Sequence, residues 1–181
     1  MKRVLRVACA LAICLVAAQA QAVLDKAKWG MRLDEIKKLY PSGEVAKIDD
    51  DRTVYRLVRP VGVDSRALVS FFLSQGCGLD SVELSLIPPQ GTFNLLTGAV
   101  SGMTISQSRK AGIEMRRGLS DKYGVESPSS YSSGTYTFAW VAGESESVYL
   151  YVEDGSESDN AARVVYSPKA NPCKLHRADG L

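Results

Sequence analysis

Two stretches of the chain each carry the pattern of an amphipathic helix followed by four strand-like runs, and this doubling constrains the fold more than any other feature. The first helical pattern covers residues 32–40, with apolar side chains at positions 33, 36, 39 and 40, and is stopped by Pro41 and Gly43. The second covers residues 105–123 and ends at Gly124, the residue type preferred just after a helix.

Short runs of alternating or β-branched residues follow each helix. They fall at residues 44–48, 53–59, 67–74 and 81–87 in the first half, and at 129–132, 135–141, 147–153 and 162–167 in the second. The pattern predicts an α+β fold with two tandem helix-plus-four-strand units, which form one curved antiparallel sheet with the helices on one face. The halves span about residues 28–90 and 103–168, and a C-terminal tail covers 169–181.

The two halves can be aligned on each other with a nearly constant offset. Leu39-Tyr40-Pro41 aligns with Lys122-Tyr123-Gly124 at an offset of 83 residues, and residues 81–88 align with 161–168 at an offset of 80. This agreement favours an internal duplication. Identity between the halves is slight, so a chance match between two strand-rich segments remains the alternative.

The segment from Trp29 to Leu39, WGMRLDEIKKL, resembles the opening motif of the BamE/SmpA outer-membrane assembly module. The doubled plan is similar to β-lactamase inhibitor protein, which is built from two such units on one curved sheet. The resemblance implies a periplasmic protein and a fold rather than an activity. Arg32 departs from the family, because a threonine stands at that position of the motif.

The first 22 residues have the three parts of a cleavable secretion signal. Lys2, Arg3 and Arg6 precede an apolar run over residues 7–18, and small-x-small cleavage sites end at Ala20 and Ala22. The expected location is therefore periplasmic or secreted. A lipid anchor on Cys14 is the alternative, but Ile13 stands where a lipoprotein signal needs a small residue.

Removal of this signal changes the charge of the protein. Three of the 22 basic residues leave with it, so 19 basic residues face 20 acidic ones and the net charge falls from +2 to −1. This balance gives no reason to expect a nucleic-acid partner or stable membrane insertion after cleavage. The remaining segment, residues 23–181, has the length of a single domain.

Two cysteines remain after cleavage, Cys77 and Cys173. In an oxidising compartment an even pair predicts a disulfide, which would hold the C-terminal tail against the turn at residues 76–78. A redox or metal site is the alternative reading. It is disfavoured because the chain has no CxxC motif and a single histidine, His176.

The sequence contains few residues in patterns that could form an enzyme active site. His176 lies in the tail, and the acidic residues 49–51, Glu144 and Glu146 fall in expected turns. Residues 154–160 place oxygen-bearing side chains as a calcium loop does, but Asp159 stands where such a loop needs glycine. We therefore expect no enzymatic activity, catalytic residue, cofactor or metal.

The best candidate for a working surface is the open face of the sheet. In two neighbouring runs the apolar set should pack under the helices, namely Tyr136, Phe138 and Trp140 in the first and Val148, Leu150 and Val152 in the second. Tyr149 and Tyr151 should then face outwards, and exposed tyrosines are favoured anchors in protein interfaces. The sequence thus favours a non-enzymatic module that binds another envelope or secreted protein. A small-ligand or lipid-binding protein is the alternative, and the basic residues of the second helix offer a second possible surface.

Overall fold

The computed structural model describes residues 26–61, 66–153 and 161–170. Within these ranges the chain forms an α+β fold with two helices and a large antiparallel sheet of eight strands. The first half contains α1 (Leu33–Leu39), β1 (Glu44–Lys47), β2 (Arg52–Pro60), β3 (Arg66–Ser74) and β4 (Gly78–Ile87). The short strands β5 (Thr92–Phe93) and β6 (Val100–Ser101) follow. The second half contains α2 (Ile105–Tyr123), β7 (Ser127–Ser132), β8 (Thr135–Ala142), β9 (Glu146–Glu153) and β10 (Ala162–Pro168).

The sheet has the strand order β1-β2-β3-β4-β10-β9-β8-β7. Each half is a meander of four strands, and the last strand of each half pairs with the other at the centre. There Leu84 lies opposite Val164, and Val82 lies opposite Tyr166. This joint makes the two meanders one continuous sheet.

Both helices pack on the same face of this sheet, because they share one core cluster. Ile36 from α1 and Leu119 from α2 belong to the cluster that also holds Phe71, Leu150 and Tyr166 from the strands. Period-two alternation explains which side chains enter the cluster, since residues i, i+2 and i+4 of a strand point to the same face.

The ends of the helices follow from local chemistry. Thr104 caps α2 by accepting a hydrogen bond from the Gln107 backbone N–H, and the Gln107 side chain accepts one from the Thr104 backbone N–H. In α1 the Glu35 carboxylate accepts a hydrogen bond from the Arg32 backbone N–H at 2.8 Å, although Arg32 is not a favoured capping residue.

The segment before α1 is tied to the start of β4. The Gly30 N–H donates to the Leu79 carbonyl, and the Leu79 N–H donates to the Met31 carbonyl, at 2.9 and 2.8 Å. Gly78 has a φ of +70°, and a Cβ there would lie 2.2 Å from the Gly30 oxygen. This close contact of two backbones requires glycine at position 78.

Candidate functional site

The face of the sheet opposite the helices is covered only in part. Residues 88–103, which we call the strap, contain β5 and β6 and lie over the first half of this face. Leu95 and Val100 of the strap pack on Leu68 and Ile87 in a second, smaller apolar cluster. The end of the strap lies on the other face, because Met103 packs with Ala161 and Ala162 in a third cluster that includes Ala111 and Met115 of α2. The uncovered remainder of the face opposite the helices is called the open face below.

A buried arginine holds the strap in place. Arg56, in the middle of β2, donates from Nη1 to the carbonyl oxygens of Leu95 at 3.1 Å and Leu96 at 2.7 Å. Only 6% of its surface is exposed. Burial lowers the pKa of Arg56, and the nearby Glu83 carboxylate acts in the opposite direction.

Gly98 allows the strap to approach this guanidinium. Its φ is +79°, and an added Cβ would lie 2.7 Å from the Nε and Nη2 atoms of Arg56. A larger residue at position 98 would therefore meet both an unfavourable backbone conformation and a steric clash.

Tyr149 and Tyr151 lie on the open face, as the alternation in β9 requires. The residues between and beside them, Val148, Leu150 and Val152, are buried in the core under the helices. The two tyrosine rings have centroids 6.4 Å apart with an interplanar angle of 28°. Both tyrosines are half-buried, so their rings form a paired aromatic surface whose position is fixed by the strand.

Arg163 extends this aromatic pair on the neighbouring strand. It lies directly opposite Tyr151 in the β9–β10 ladder, and its guanidinium carbon is 5.1 Å from the centre of the Tyr151 ring. Its Nη1 lies 4.0 Å from a carboxylate oxygen of Glu153. Burial raises the pKa of Tyr151, while the positive charge of Arg163 acts against that rise.

A second cation–aromatic pair lies on the same face in the first half. The guanidinium of Arg52 lies over the ring of Phe72 at 5.5 Å and is 3.7 Å from a carboxylate oxygen of Asp80. Arg52, Arg56 and Arg163 thus all have partners within the chain.

Small hydroxyl side chains occupy much of the space between these groups. By strand register, five serines point to this side of the sheet: Ser70 and Ser85 are buried, and Ser81, Ser147 and Ser167 are partly exposed. Val141 on β8 projects from the same face beside them and is 57% exposed. The open face therefore combines aromatic rings, small hydroxyls and exposed apolar groups, with its arginines paired internally.

Two expectations for the core and the turns need correction. Tyr136, expected to pack under the helices with Phe138 and Trp140, is instead 39% exposed, and its ring lies 4.6 Å from that of Tyr131 at the sheet edge, tilted by 41°. Glu146 does not lie in a turn, because it begins β9 and accepts a hydrogen bond from the Trp29 indole at 3.1 Å. The acidic residues 49–51 do form a turn, in which the Asp49 carboxylate accepts hydrogen bonds from the backbone N–H groups of residues 51 and 52.

The basic residues of α2 are divided between solvent and internal contacts. Arg116 forms an ion pair with Glu126 and lies over the Phe138 ring at 4.5 Å. Hydrogen bonding to Glu126 raises the pKa of Arg116, and the same contact lowers the pKa of Glu126. Lys110 and Arg117 are exposed. The basic helix is thus less available as an interaction surface than its composition indicates.

Two clefts lie away from the open face. One, of about 740 Å³, lies beside Cys77 and is lined by the start of α1 and two strand connections, with Leu33, Glu35, Asp51 and Leu73 in its walls. The other, of about 510 Å³, lies at the C-terminal end of α2 beside Ile113 and Val125.

Several predicted features lie outside the described residues. These are the signal segment 1–22 with Cys14, the possible calcium loop at 154–160, and Cys173 and His176 in the tail. Cys77 is buried and is not a free thiol, while its pairing with Cys173 stays a prediction. Among the described residues, no group of three or more potential metal ligands comes together, and no helix has both the length and the apolar character needed to cross a membrane.

Sequence reasoning missed the strap and both of the arginines that organise this face. The sequence signal for Arg56 and Arg163 was that each is a charged residue inside a strand-like run, 53–59 and 162–167 respectively. Searches with this chain match no protein-family model, no curated protein and no solved structure.

Proposed function

We propose that this protein is an exported, non-enzymatic binding module of the cell envelope that binds another envelope or secreted protein through the open face of its sheet. The observation that carries the proposal is the arrangement of Tyr149, Tyr151 and Arg163 on that face. Tyrosine and arginine are enriched among the residues that dominate binding energy in protein interfaces.

The packing of these groups supports the proposal in a further way. Tyr149 and Tyr151 are held by a central strand, and Arg163 lies over one of the rings. A partner would therefore meet side chains that are already ordered, which reduces the entropy lost on binding. Ser147 and Ser167, which are partly exposed beside Tyr149, are small enough for a partner's side chains to reach the sheet.

The proposal can be tested by photo-cross-linking in the envelope of cells that express the full chain. A photoreactive amino acid replaces Val141, which is exposed on the open face opposite Ser147, two residues along β9 from Tyr149. In a control chain it replaces Val125, which is 96% exposed near α2. We expect a discrete cross-linked species from position 141 and none from position 125. Equal cross-linking from the two positions would contradict the proposal.

A paired substitution then tests the tyrosines themselves. Tyr149→Ala with Tyr151→Ala should remove the cross-link from position 141. Thermal unfolding should still be cooperative, because these rings lie outside the core under the helices. If the double variant keeps the cross-link, the tyrosines are not the binding residues.

We also infer that the two halves are tandem copies of one helix-plus-four-strand unit, and that the sheet is curved. The mirrored strand order, with β4 and β10 joined at the centre, supports this inference. The resemblance of residues 29–39 to the BamE/SmpA opening motif, and of the doubled plan to β-lactamase inhibitor protein, is compatible with a role in binding proteins.

A small-ligand or lipid-binding protein is the second candidate, and the cleft beside Cys77 favours it. Its volume of about 740 Å³ lies within the range of small-molecule sites. Binding of an apolar fluorescent probe, lost on Leu33→Asp and kept on Tyr149→Ala, would support this candidate.

A further inference from the structure

We propose that the open face binds a lysine or arginine side chain of the partner protein at one position, over Val165 and between Glu83 and Tyr149. This inference rests on the function proposed above and adds to it the chemistry of the partner. Val165 of β10 lies opposite Glu83 of β4 on one side and opposite Tyr149 of β9 on the other. The three residues therefore form one row across the open face, with the smallest side chain in the middle.

Two other places on this face each combine an arginine, an aromatic ring and a carboxylate. In both, the guanidinium carbon lies 5.1 to 5.5 Å from the ring centre, and a guanidinium nitrogen lies 3.7 to 4.0 Å from a carboxylate oxygen. Such a cation is attracted by the ring and by the carboxylate together. These complete groups are Arg52, Phe72 and Asp80 in the first half, and Arg163, Tyr151 and Glu153 in the second.

Glu83 and Tyr149 provide the carboxylate and the ring of a third group, which lacks a cation among the described residues. The Glu83 carboxylate accepts a hydrogen bond from the Ser85 hydroxyl at 3.0 Å, and no described cation forms an ion pair with it. Arg56 acts on Glu83 through its charge, but its Nη1 is bound to two strap carbonyls. The Tyr149 ring lies beside that of Tyr151, and no described arginine or lysine lies over it.

The spacing of the row suits one cationic side chain. Neighbouring strands of a sheet lie about 4.8 Å apart, so Glu83 and Tyr149, which are two strands apart, are separated by about 10 Å at the backbone. A cation over Val165 therefore lies about 5 Å from each, within the distance of about 6 Å at which a ring attracts a cation.

The charge of Glu83 also reaches the aromatic pair. Burial raises the pKa of Tyr151, and the negative charge of Glu83 adds to the rise. Glu83, Val165 and Tyr149 are all half-buried, so a bound cation would be partly shielded from water. Partial shielding strengthens both of its attractions.

The test compares two peptides that differ only in charge, on the purified full mature chain. One is acetyl-Ser-Val-Arg-Val-Ser-amide, and in the other citrulline, the uncharged analogue of arginine, replaces the central residue. Binding is followed by the NMR signals of the Val165 methyl groups and the Tyr149 ring. We expect the dissociation constant of the arginine peptide to be at least about fivefold lower, as one ion pair and one cation–ring contact at a half-exposed site imply. Equal dissociation constants, or no shift of these signals with either peptide, would overturn the proposal.

Substitutions then assign the preference to this row. Glu83→Gln keeps an acceptor for the Ser85 hydroxyl but removes the charge, so it should abolish most of the preference for arginine. Glu114→Gln, on α2 at the other face, is the matched control and should preserve it. Tyr149→Leu should weaken the preference, while Tyr149→Phe, which keeps a ring, should retain it. A preference that is unchanged in Glu83→Gln would show that the peptide binds elsewhere and would overturn the proposal.

The partner itself is tested through the cross-link from position 141. Glu83→Lys places a cation in the row, so it should lower the yield of that cross-link at least about fivefold, and Glu114→Lys should not. Absence of the cross-link in the wild-type chain would contradict the proposed function, whereas a cross-link that Glu83→Lys leaves unchanged would overturn this inference alone.

Discussion

Tyr166 shows how a single residue couples the two halves of the molecule. It lies on β10 at the central joint, is buried in the core, and interacts with Tyr123 at the end of α2. Burial is the largest cause that raises its pKa well above the ordinary tyrosine value, and the interaction with Tyr123 adds to the rise. The phenol is thus held in its neutral form by the fold.

This raised pKa predicts a loss of stability at alkaline pH. A group whose pKa is higher in the folded state contributes stability that is present below its unfolded pKa, about 10 for tyrosine, and is lost as pH rises further. The free energy of unfolding, measured in urea between pH 8 and 11, should therefore fall above about pH 10. It should fall less steeply in Tyr166→Phe. Tyr131→Phe, at an exposed position, should follow the wild-type curve, and an equal slope in all three chains would contradict the prediction.

At the scale of elements, the strap depends on one buried side chain. The Arg56 guanidinium supplies hydrogen bonds to two strap carbonyls, and hydrogen bonds from a charged donor contribute more than neutral ones. Methionine has a similar length but no donor, so it should release the strap without opening the core on the other face.

We therefore predict that Arg56→Met increases hydrogen exchange in residues 94–98. The backbone N–H groups of Asn94 and Gly98, which are bonded within the strap, should exchange at least about tenfold faster, a ratio that corresponds to about 1.4 kcal/mol. Arg66→Met is the matched control, because Arg66 lies over the Phe93 ring of the strap at 5.6 Å and is exposed. Similar exchange in both variants would show that Arg56 does not hold the strap.

Gly112 sets the distance between α2 and the sheet. An added Cβ would lie 2.6 and 2.8 Å from the two terminal methyl carbons of Val152, which is itself buried. Gly112→Ala should lower the free energy of unfolding by about 1 to 3 kcal/mol, because overpacking exceeds the gain in helix propensity. Ile113→Ala, at an exposed neighbouring position, should change it by less than about 0.5 kcal/mol. Denaturation in urea would distinguish the two.

Helices and strands with a regular hydrophobic pattern were predictable from the sequence, and the strap was not. The second helix begins and ends where its pattern and Gly124 predicted, and each of the eight main strands lies on a predicted run. The strap escaped prediction because it is held by Arg56 and by contacts with Leu68, which are distant in sequence. Tyr136 was misassigned because alternation identifies a face but not where the covering helix ends.

The candidate surface was predictable only in outline. Alternation in β9 placed Tyr149 and Tyr151 on the face away from the helices, and the structure has them there. The contribution of Arg163 depends on which strand lies beside β9. That neighbour is fixed by the β4–β10 joint, a pairing between distant segments that no local pattern specifies.

At the scale of the whole molecule, the halves share a core rather than merely an edge. The main cluster contains Ile36 and Leu57 from the first half together with Trp140 and Leu150 from the second. The halves should therefore unfold together, even if they arose as copies. A domain whose units each had a separate core could instead lose one half first.

A substitution at the central joint tests this coupling. Val164 is buried on β10 opposite Leu84 of β4, so Val164→Ala should cost about 2 kcal/mol in lost burial and packing. If the chain unfolds as one unit, hydrogen exchange through global opening should accelerate by the same factor in peptides from β2 and from β9. Faster exchange confined to β9 would mean that the second half opens alone. The shared cluster around Val164 predicts the equal change, because each half lacks part of its core without the other.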